Sequence, residues 1–192
     1  MVLEVCQQLS SLCAKEGKTP LVISVAASPT LAETRTALGT GVRVARVIPS
    51  ITVSVCSGIA AVFSDVEADA QQATDLFEQI GAVLKVKSES EFDAVLGMCA
   101  SGLGFLALVA EALAEGGVKM GLTSADALKC ASYTMLGAGK LLEESGMHPA
   151  ELRNRVASPG GTTIAGLHEL EKAGVRGAFI SAIEAAVVRA RK

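Results

Sequence analysis

The sequence predicts an α/β fold: a doubly wound sheet over residues 1–88, followed by an all-helical region over 89–192. Three observations carry that reading. Helix and strand signals alternate as far as Val86, at lengths suited to βα units. From Ser88 onward strand signals disappear. The interior must also be built from small residues, because half of the 192-residue chain is apolar while aromatics contribute only 3 %, with no Trp and one Tyr. Ala, Gly, Val and Leu favour closely packed helices over bulky pockets, and the length suffices for a sizeable core.

Each element has a local reason. Val2, Val5, Cys6, Leu9, Leu12 and Cys13 recur at helical spacing and Gly17 follows as a stop, so residues 2–16 should form an amphipathic helix. Leu21 to Val25 is a short continuous apolar run, the mark of a buried parallel strand. Ser28 is an expected N-cap with Pro29 at the first helical position, and Gly39 ends that helix. Val42 to Ile48 and Ile59 to Phe63 read as further strands. Between Asp65 and Ile80, the residues Ala70, Ala73, Phe77 and Ile80 share one helix face, and Val83 to Val86 is a last strand.

Ser88 with Glu91 forms a capping box that opens the helical region. Further helices are expected at 105–115, from Thr123 or Ser124 to 144, over 149–156, from Thr162 to before Gly174, and over 177–190. The last is apolar nearly all round, with Phe179, Ile180, Ile183, Ala186 and Val187 and Glu184 as its interior charge. Such a helix should be buried, and a region this rich in Ala and Gly is explained if a second copy covers it. A homo-oligomer interface is therefore expected in the C-terminal half.

Composition excludes several classes. The net charge is −3 and basic residues cluster only at Arg189, Arg191 and Lys192, which argues against nucleic-acid binding. Cys6, Cys13, Cys56, Cys99 and Cys130 have no metal-like spacing and sit among apolar neighbours, so they read as buried thiols of a reducing, cytoplasmic compartment. Glu4 and the polar interruptions after it do not suit a targeting segment. The charge-free runs Val47–Ser64 and Ala94–Ala110 approach the ~20 apolar residues of a membrane span, but their Pro, Ser, Thr and Gly content reads better as buried soluble structure. No membrane association and no metal site are expected.

Three segments could carry chemistry. Ser158-Pro159-Gly160-Gly161-Thr162-Thr163 places two glycines before a helix start, where free N–H groups and hydroxyls suit an anion such as a carboxylate. The same segment also reads as an ordinary Gly-rich turn with Thr162 as N-cap. Val25, Ala26 and Ala27 follow a strand, the position at which open α/β sheets meet ligands. Ala100-Ser101-Gly102-Leu103-Gly104-Phe105 lies at the domain junction and reads equally as tight helix packing. His148 reads as a cap, His168 as a surface residue, and Leu38-Gly39-Thr40-Gly41 as a C-cap and turn, since it follows a helix.

Glu115 to Leu122, then SPGGTTIAGL over 158–167, then Ala182-Ile183-Glu184-Ala185-Ala186 resemble, in order and spacing, the pyrroline-5-carboxylate reductase family. The resemblance implies a partial Rossmann-like domain over 1–88 and a helical dimerisation and substrate-binding domain over 89–192, interlocked into dimers and in some members decamers. It implies reduction of 1-pyrroline-5-carboxylate to L-proline, the last step of proline biosynthesis, by hydride from NADPH or NADH. The substrate carboxylate would meet Ser158, Gly160, Gly161, Thr162 and Thr163, with Thr163 also taking the ring nitrogen as the catalytic residue. The cofactor would meet Val25, Ala26 and Ala27, together with Pro49 and Ser50, where the family's MPNTP segment reads Ile48-Pro49-Ser50-Ile51-Thr52. The family's GSGPAY junction reads Ala100 to Phe105, and no GxGxxG follows a strand, so the first βα turn of the family is expected to lie before Met1. The alternative is a non-catalytic homologue acting as an oligomerisation or carboxylate-binding module.

Overall fold

The computed structural model describes residues 1–191; Lys192, one of the three basic residues at the C-terminus, lies outside them. By compactness the chain divides into a sheet unit, residues 1–103 with 183–191, and a helical unit, residues 104–182.

In the sheet unit α1 (Val2–Glu16) ends at Gly17 in the left-handed region, as its periodicity and stop signal predict. It is followed by β1 (Leu21–Ser24), α2 (Leu31–Leu38), β2 (Arg43–Pro49), a 3₁₀ turn (Ile51–Val55), β3 (Gly58–Phe63), α3 (Glu67–Phe77) and β4 (Gly81–Lys85). The strands form one sheet in chain order. β1 pairs with β2 and β3 with β4 in parallel, but β2 and β3 are antiparallel. That departs from a uniformly wound sheet for a clear reason. The link 50–57 holds only the 3₁₀ turn, and a parallel crossover needs a dozen or more residues.

Period-two alternation sends β2 and β3 side chains to two layers. Ala45, Val47, Ala60 and Val62 pack with Ala70 and Ala73 of α3, and with Phe77, as that helix face predicts. On the other side Val44 joins Cys6 of α1 and Leu31 and Leu38 of α2, while Ile48 and Ala61 join Val86 and Phe92. The run 47–64 is thus buried sheet for most of its length. α2 starts later than expected: its N-cap is Thr30, whose hydroxyl accepts from Glu33 N–H while the Glu33 carboxylate accepts from Thr30 N–H. A reciprocal box outcompetes the lone hydroxyl of Ser28, and the Ser28–Pro29 bond is cis.

Ser88 caps α4 (Glu89–Val95), though Glu91 reaches back to Lys87 N–H at 2.7 Å instead of to Ser88 itself. α4 does not stop before residue 105. It continues through a π-type turn (Leu96–Ser101) into α5 (Gly102–Lys119), giving one helix of 31 residues that is long and apolar enough to cross a membrane. A Cβ on Gly97 would lie 2.6 Å from Val187 Cγ2, so the π-type turn meets the end of the last helix closely.

The helical unit continues with α6 (Ser124–Ser145), capped by Thr123, then α7 (Pro149–Val156), α8 (Thr162–Lys172) and α9 (Val175–Ala190), whose last residues belong to the sheet unit. Two expectations of burial fail within the single chain. Of 94–110 only Gly97 and Gly102 are buried, and α9 has no buried residue, with Ile180 64 % exposed. No further layer of this chain covers those faces. The thiols differ from expectation too: Cys6 is buried, Cys13 and Cys99 are intermediate, and Cys56 and Cys130 are exposed. Small apolar neighbours in sequence do not fix which side of a helix or turn a cysteine takes. Partial burial pushes the Cys99 thiol above its ordinary range.

Candidate functional site

At the sheet, β1 and β2 run parallel with Ser24 opposite Arg46, so residues 25–27 and 49–50 leave the same carboxyl edge. The fold thereby brings together Val25, Ala26, Ala27, Pro49 and Ser50. Val25 is exposed and Ser50 buried, its Oγ 2.9 Å from Thr52 Oγ1 and its N–H donated to Ile59 C=O. The N–H groups of Ala27 and Ser28 have no protein partner among the described residues.

The N-terminus of α2, by contrast, is closed. Leu31 N–H donates to Glu89 at 2.6 Å, and the Glu33 carboxylate occupies the capping box, where hydrogen bonds from Thr30 hold it below the usual carboxylate range. A pyrophosphate would meet a carboxylate there instead of free amides. The α2 N-terminus therefore does not supply a pyrophosphate site.

Sequence reasoning missed the residue that holds this edge. Arg46 is 1 % exposed at the centre of β2; it pairs with Glu89, donates to the carbonyls of Ala27 at 2.7 Å and Ala26 at 3.4 Å, and lies 4.2 Å over the ring of Phe92. The signal was available as a cation at the centre of a strand, flanked by Val44, Ala45, Val47 and Ile48.

In the helical unit, α7 ends at Val156 and the chain turns through Ser158–Gly161 into α8. Gly161 N–H closes the turn on Ser158 C=O at 3.0 Å, and Gly160 adopts φ 67°. Gly160 needs glycine for that positive φ, and a Cβ on Gly161 would fall 2.3 Å from Ser158 Oγ, forcing that hydroxyl to move. The N-cap is Gly161, not Thr162, because Thr162 already has helical geometry. Among the described residues no side chain caps α8, so the N–H groups of Thr162, Thr163 and Ile164 stand at a positive helix end beside two hydroxyls. Thr162 is exposed and Thr163 half-buried. Free amides beside hydroxyls at a helix N-terminus suit an anion.

His148 caps α7, its Nδ1 accepting from Ala150 N–H at 3.2 Å, and His168 is exposed on α8. Gly39 is the C-cap of α2, so 38–41 is a turn. Among the described residues no group of three or more His, Cys, Asp or Glu is placed to hold a metal ion.

Comparison with known proteins decides the family. The family model for pyrroline-5-carboxylate reductase dimerisation matches residues 89–192. The pyrroline-5-carboxylate reductase of Methanosarcina acetivorans is 42 % identical over 187 residues, 96 % of this chain and 69 % of the relative. The chain belongs to the pyrroline-5-carboxylate reductase family. Pyrroline-5-carboxylate reductase 3 of Danio rerio is 40 % identical over 97 % of the chain and 65 % of its own length. The chain thus spans about two thirds of the length of these relatives. The Coxiella burnetii pyrroline-5-carboxylate reductase superposes with a TM-score of 0.90 at 31 % identity, over 99 % of this chain and 71 % of that one. A Plasmodium falciparum structure with NADP bound shares the fold, with a TM-score of 0.86 at 24 % identity.

Proposed function

We propose that the chain carries the substrate-binding and dimerisation machinery of an NAD(P)H-dependent pyrroline-5-carboxylate reductase, which reduces 1-pyrroline-5-carboxylate to L-proline. The observation that carries this reading is the uncapped start of α8 behind Ser158–Gly161, a turn whose Gly160 adopts a positive φ. The substrate carboxylate would be taken by the amides of Thr162 and Thr163, with Ser158, Gly160 and Gly161 shaping the cradle. Thr163, half-buried one residue into the helix, would hold the ring nitrogen through its hydroxyl. When the imine carbon gains hydrogen, the C=N π electrons pass to that nitrogen and its positive charge disappears. A neutral hydroxyl suits both states. The nicotinamide supplies hydride when bound; Val25, Ala26, Ala27, Pro49 and Ser50 would orient its ring end.

The same reading has the chain work as a homo-oligomer, a dimer capable of further assembly to a decamer, in the cytoplasm. The apolar helix 89–119 would then be covered by a second copy instead of lipid, which suits Glu111, Glu115 and Lys119 on its surface. A second reading, a non-catalytic carboxylate-binding homologue, is favoured by the departures of Ile48–Thr52 and Ala100–Phe105 from the family's MPNTP and GSGPAY segments.

Turnover of 1-pyrroline-5-carboxylate with NADPH, and calorimetric titration with L-proline, separate the two. The reductase reading expects both signals, and Thr163→Ala should lower turnover about ten- to a hundredfold, the worth of a hydrogen bond to a charged group. L-Proline binding without turnover leaves the second reading. No L-proline binding, or binding unchanged in Gly161→Ala, overturns the cradle.

A further inference from the structure

Arg46 is the bulkiest of the fully buried side chains, and burying a cation in a strand interior does not by itself stabilise a fold. An apolar residue at that position would be neutral or better for stability, so the arginine's partners indicate what it is for. They converge on one turn. One arm of the guanidinium meets Glu89 and the other meets the carbonyls of Ala26 and Ala27. The second oxygen of Glu89 accepts Leu31 N–H at 2.6 Å. The segment 26–31 is therefore pinned at both ends by one partly buried ion pair.

Peptide planarity then fixes what the turn presents. In a trans peptide the C=O of one residue and the N–H of the next point in opposite directions. With the Ala26 and Ala27 carbonyls turned to Arg46, the N–H groups of Ala27 and Ser28 face away from it, and both lack a protein partner. We propose that Arg46 and Glu89 are positioning residues that clamp the 26–31 turn, so that the Ala27 and Ser28 amides stand ready as donors to an acceptor oxygen of the bound dinucleotide. This rests on the reading that Val25–Ala27 meets the cofactor.

The test uses the full chain with Arg46→Lys, whose single ammonium cannot serve carboxylate and carbonyls together, and with Glu89→Gln, where a side chain 33 % exposed makes misfolding a smaller hazard. Amide hydrogen exchange should quicken at Thr30 and Leu31, the amides of the turn that have acceptors, in both variants, while the β2–β3 amides stay protected. The dissociation constant for NADPH should rise about tenfold or more, as for a misplaced positioning group. That for L-proline should stay within error of wild type. Unchanged exchange at Thr30 and Leu31 overturns the clamp. Equal weakening of NADPH and L-proline, together with a lowered melting temperature, also overturns it, since that is the signature of a merely structural residue. If the wild-type chain binds no NADPH, the cofactor reading and the donor role fall together, and the exchange data still decide the clamp.

Discussion

In the sheet unit Leu38, Val44, Ala45, Val47, Ala61 and Val62 are all sealed from solvent at 0 % exposure, between α1 and α2 on one face and α3 on the other. In the helical unit, Ala127 and Ala131 are the buried residues among those described, while Leu108, Tyr133, Leu136 and Ile180 stand more than half exposed. The two regions draw on a similar palette of small and branched residues. The difference is that a sheet offers two faces on which a chain can fold its own helices, whereas helices alone need a further layer. Apolar exposure on this scale marks an interface in a soluble protein. The match of 89–192 to a dimerisation family gives that interface its partner, a second copy.

The comparison breaks most visibly if the helical unit proves self-sufficient. Leu108→Glu with Leu136→Glu would place two charges on exposed apolar faces, each costing about 3 kcal/mol or more if buried unpaired against a second copy. Analytical ultracentrifugation should show an oligomer for the wild-type chain and monomer for the double variant, with hydrogen-exchange protection lost across α5 and α6 but kept in the sheet. A wild-type chain that sediments as a monomer and still protects α5 and α6 would remove the distinction.

The sheet unit should respond in the opposite manner. Phe92 is 1 % exposed and packs against Ile48, Ala61 and Val86, so Phe92→Ala should cost about 3–5 kcal/mol. That loss should be independent of protein concentration, whereas the melting temperature of the helical unit should rise with concentration by mass action. A smaller effect is expected for Gly97→Ala. Its Cβ would enter the space of Val187 Cγ2, a clash costing about 1–3 kcal/mol and read as faster exchange at the end of α9. An unchanged exchange pattern there would show that α9 can shift freely.

Much of the architecture was legible because it depends on local signals. Gly17 and His148 cap their helices where expected, and the Ala70, Ala73 and Phe77 face packs as its spacing requires. What failed depends on distance. The antiparallel β2–β3 pair follows from a link too short to cross over, and the open faces of α5 and α9 follow from neighbours that the single chain lacks. At the candidate site, the turn at Ser158–Gly161 and the helix start after it were legible from the glycines. Arg46 was not: a strand read for its apolar alternation conceals a charge whose partners come from residues 26, 27 and 89.

Acid should separate the two units by the smallest margin of all. In the sheet unit Arg35 grips Asp65 with both terminal nitrogens, and those hydrogen bonds hold the Asp65 carboxyl below the ordinary aspartate range. A carboxyl depressed in the folded state adds stability that is fully present above its unfolded value, about 3.9, and is lost as pH falls through the lower folded value. Both side chains are over a third exposed, so solvent screening limits the pair to about 0.5–1 kcal/mol. Chemical denaturation at pH 7 and pH 2.5 should therefore show Asp65→Asn as slightly less stable at neutral pH and indistinguishable at the acid end. In the helical unit, hydrogen bonding from Arg176 lowers Glu171 in the same direction, but that carboxylate lies fully in solvent. Glu171→Gln should leave the pH dependence of unfolding unchanged. A pH-dependent loss as large as that of Asp65→Asn would mean that the α8–α9 corner is shielded in the assembled protein, and would extend the interface to that corner.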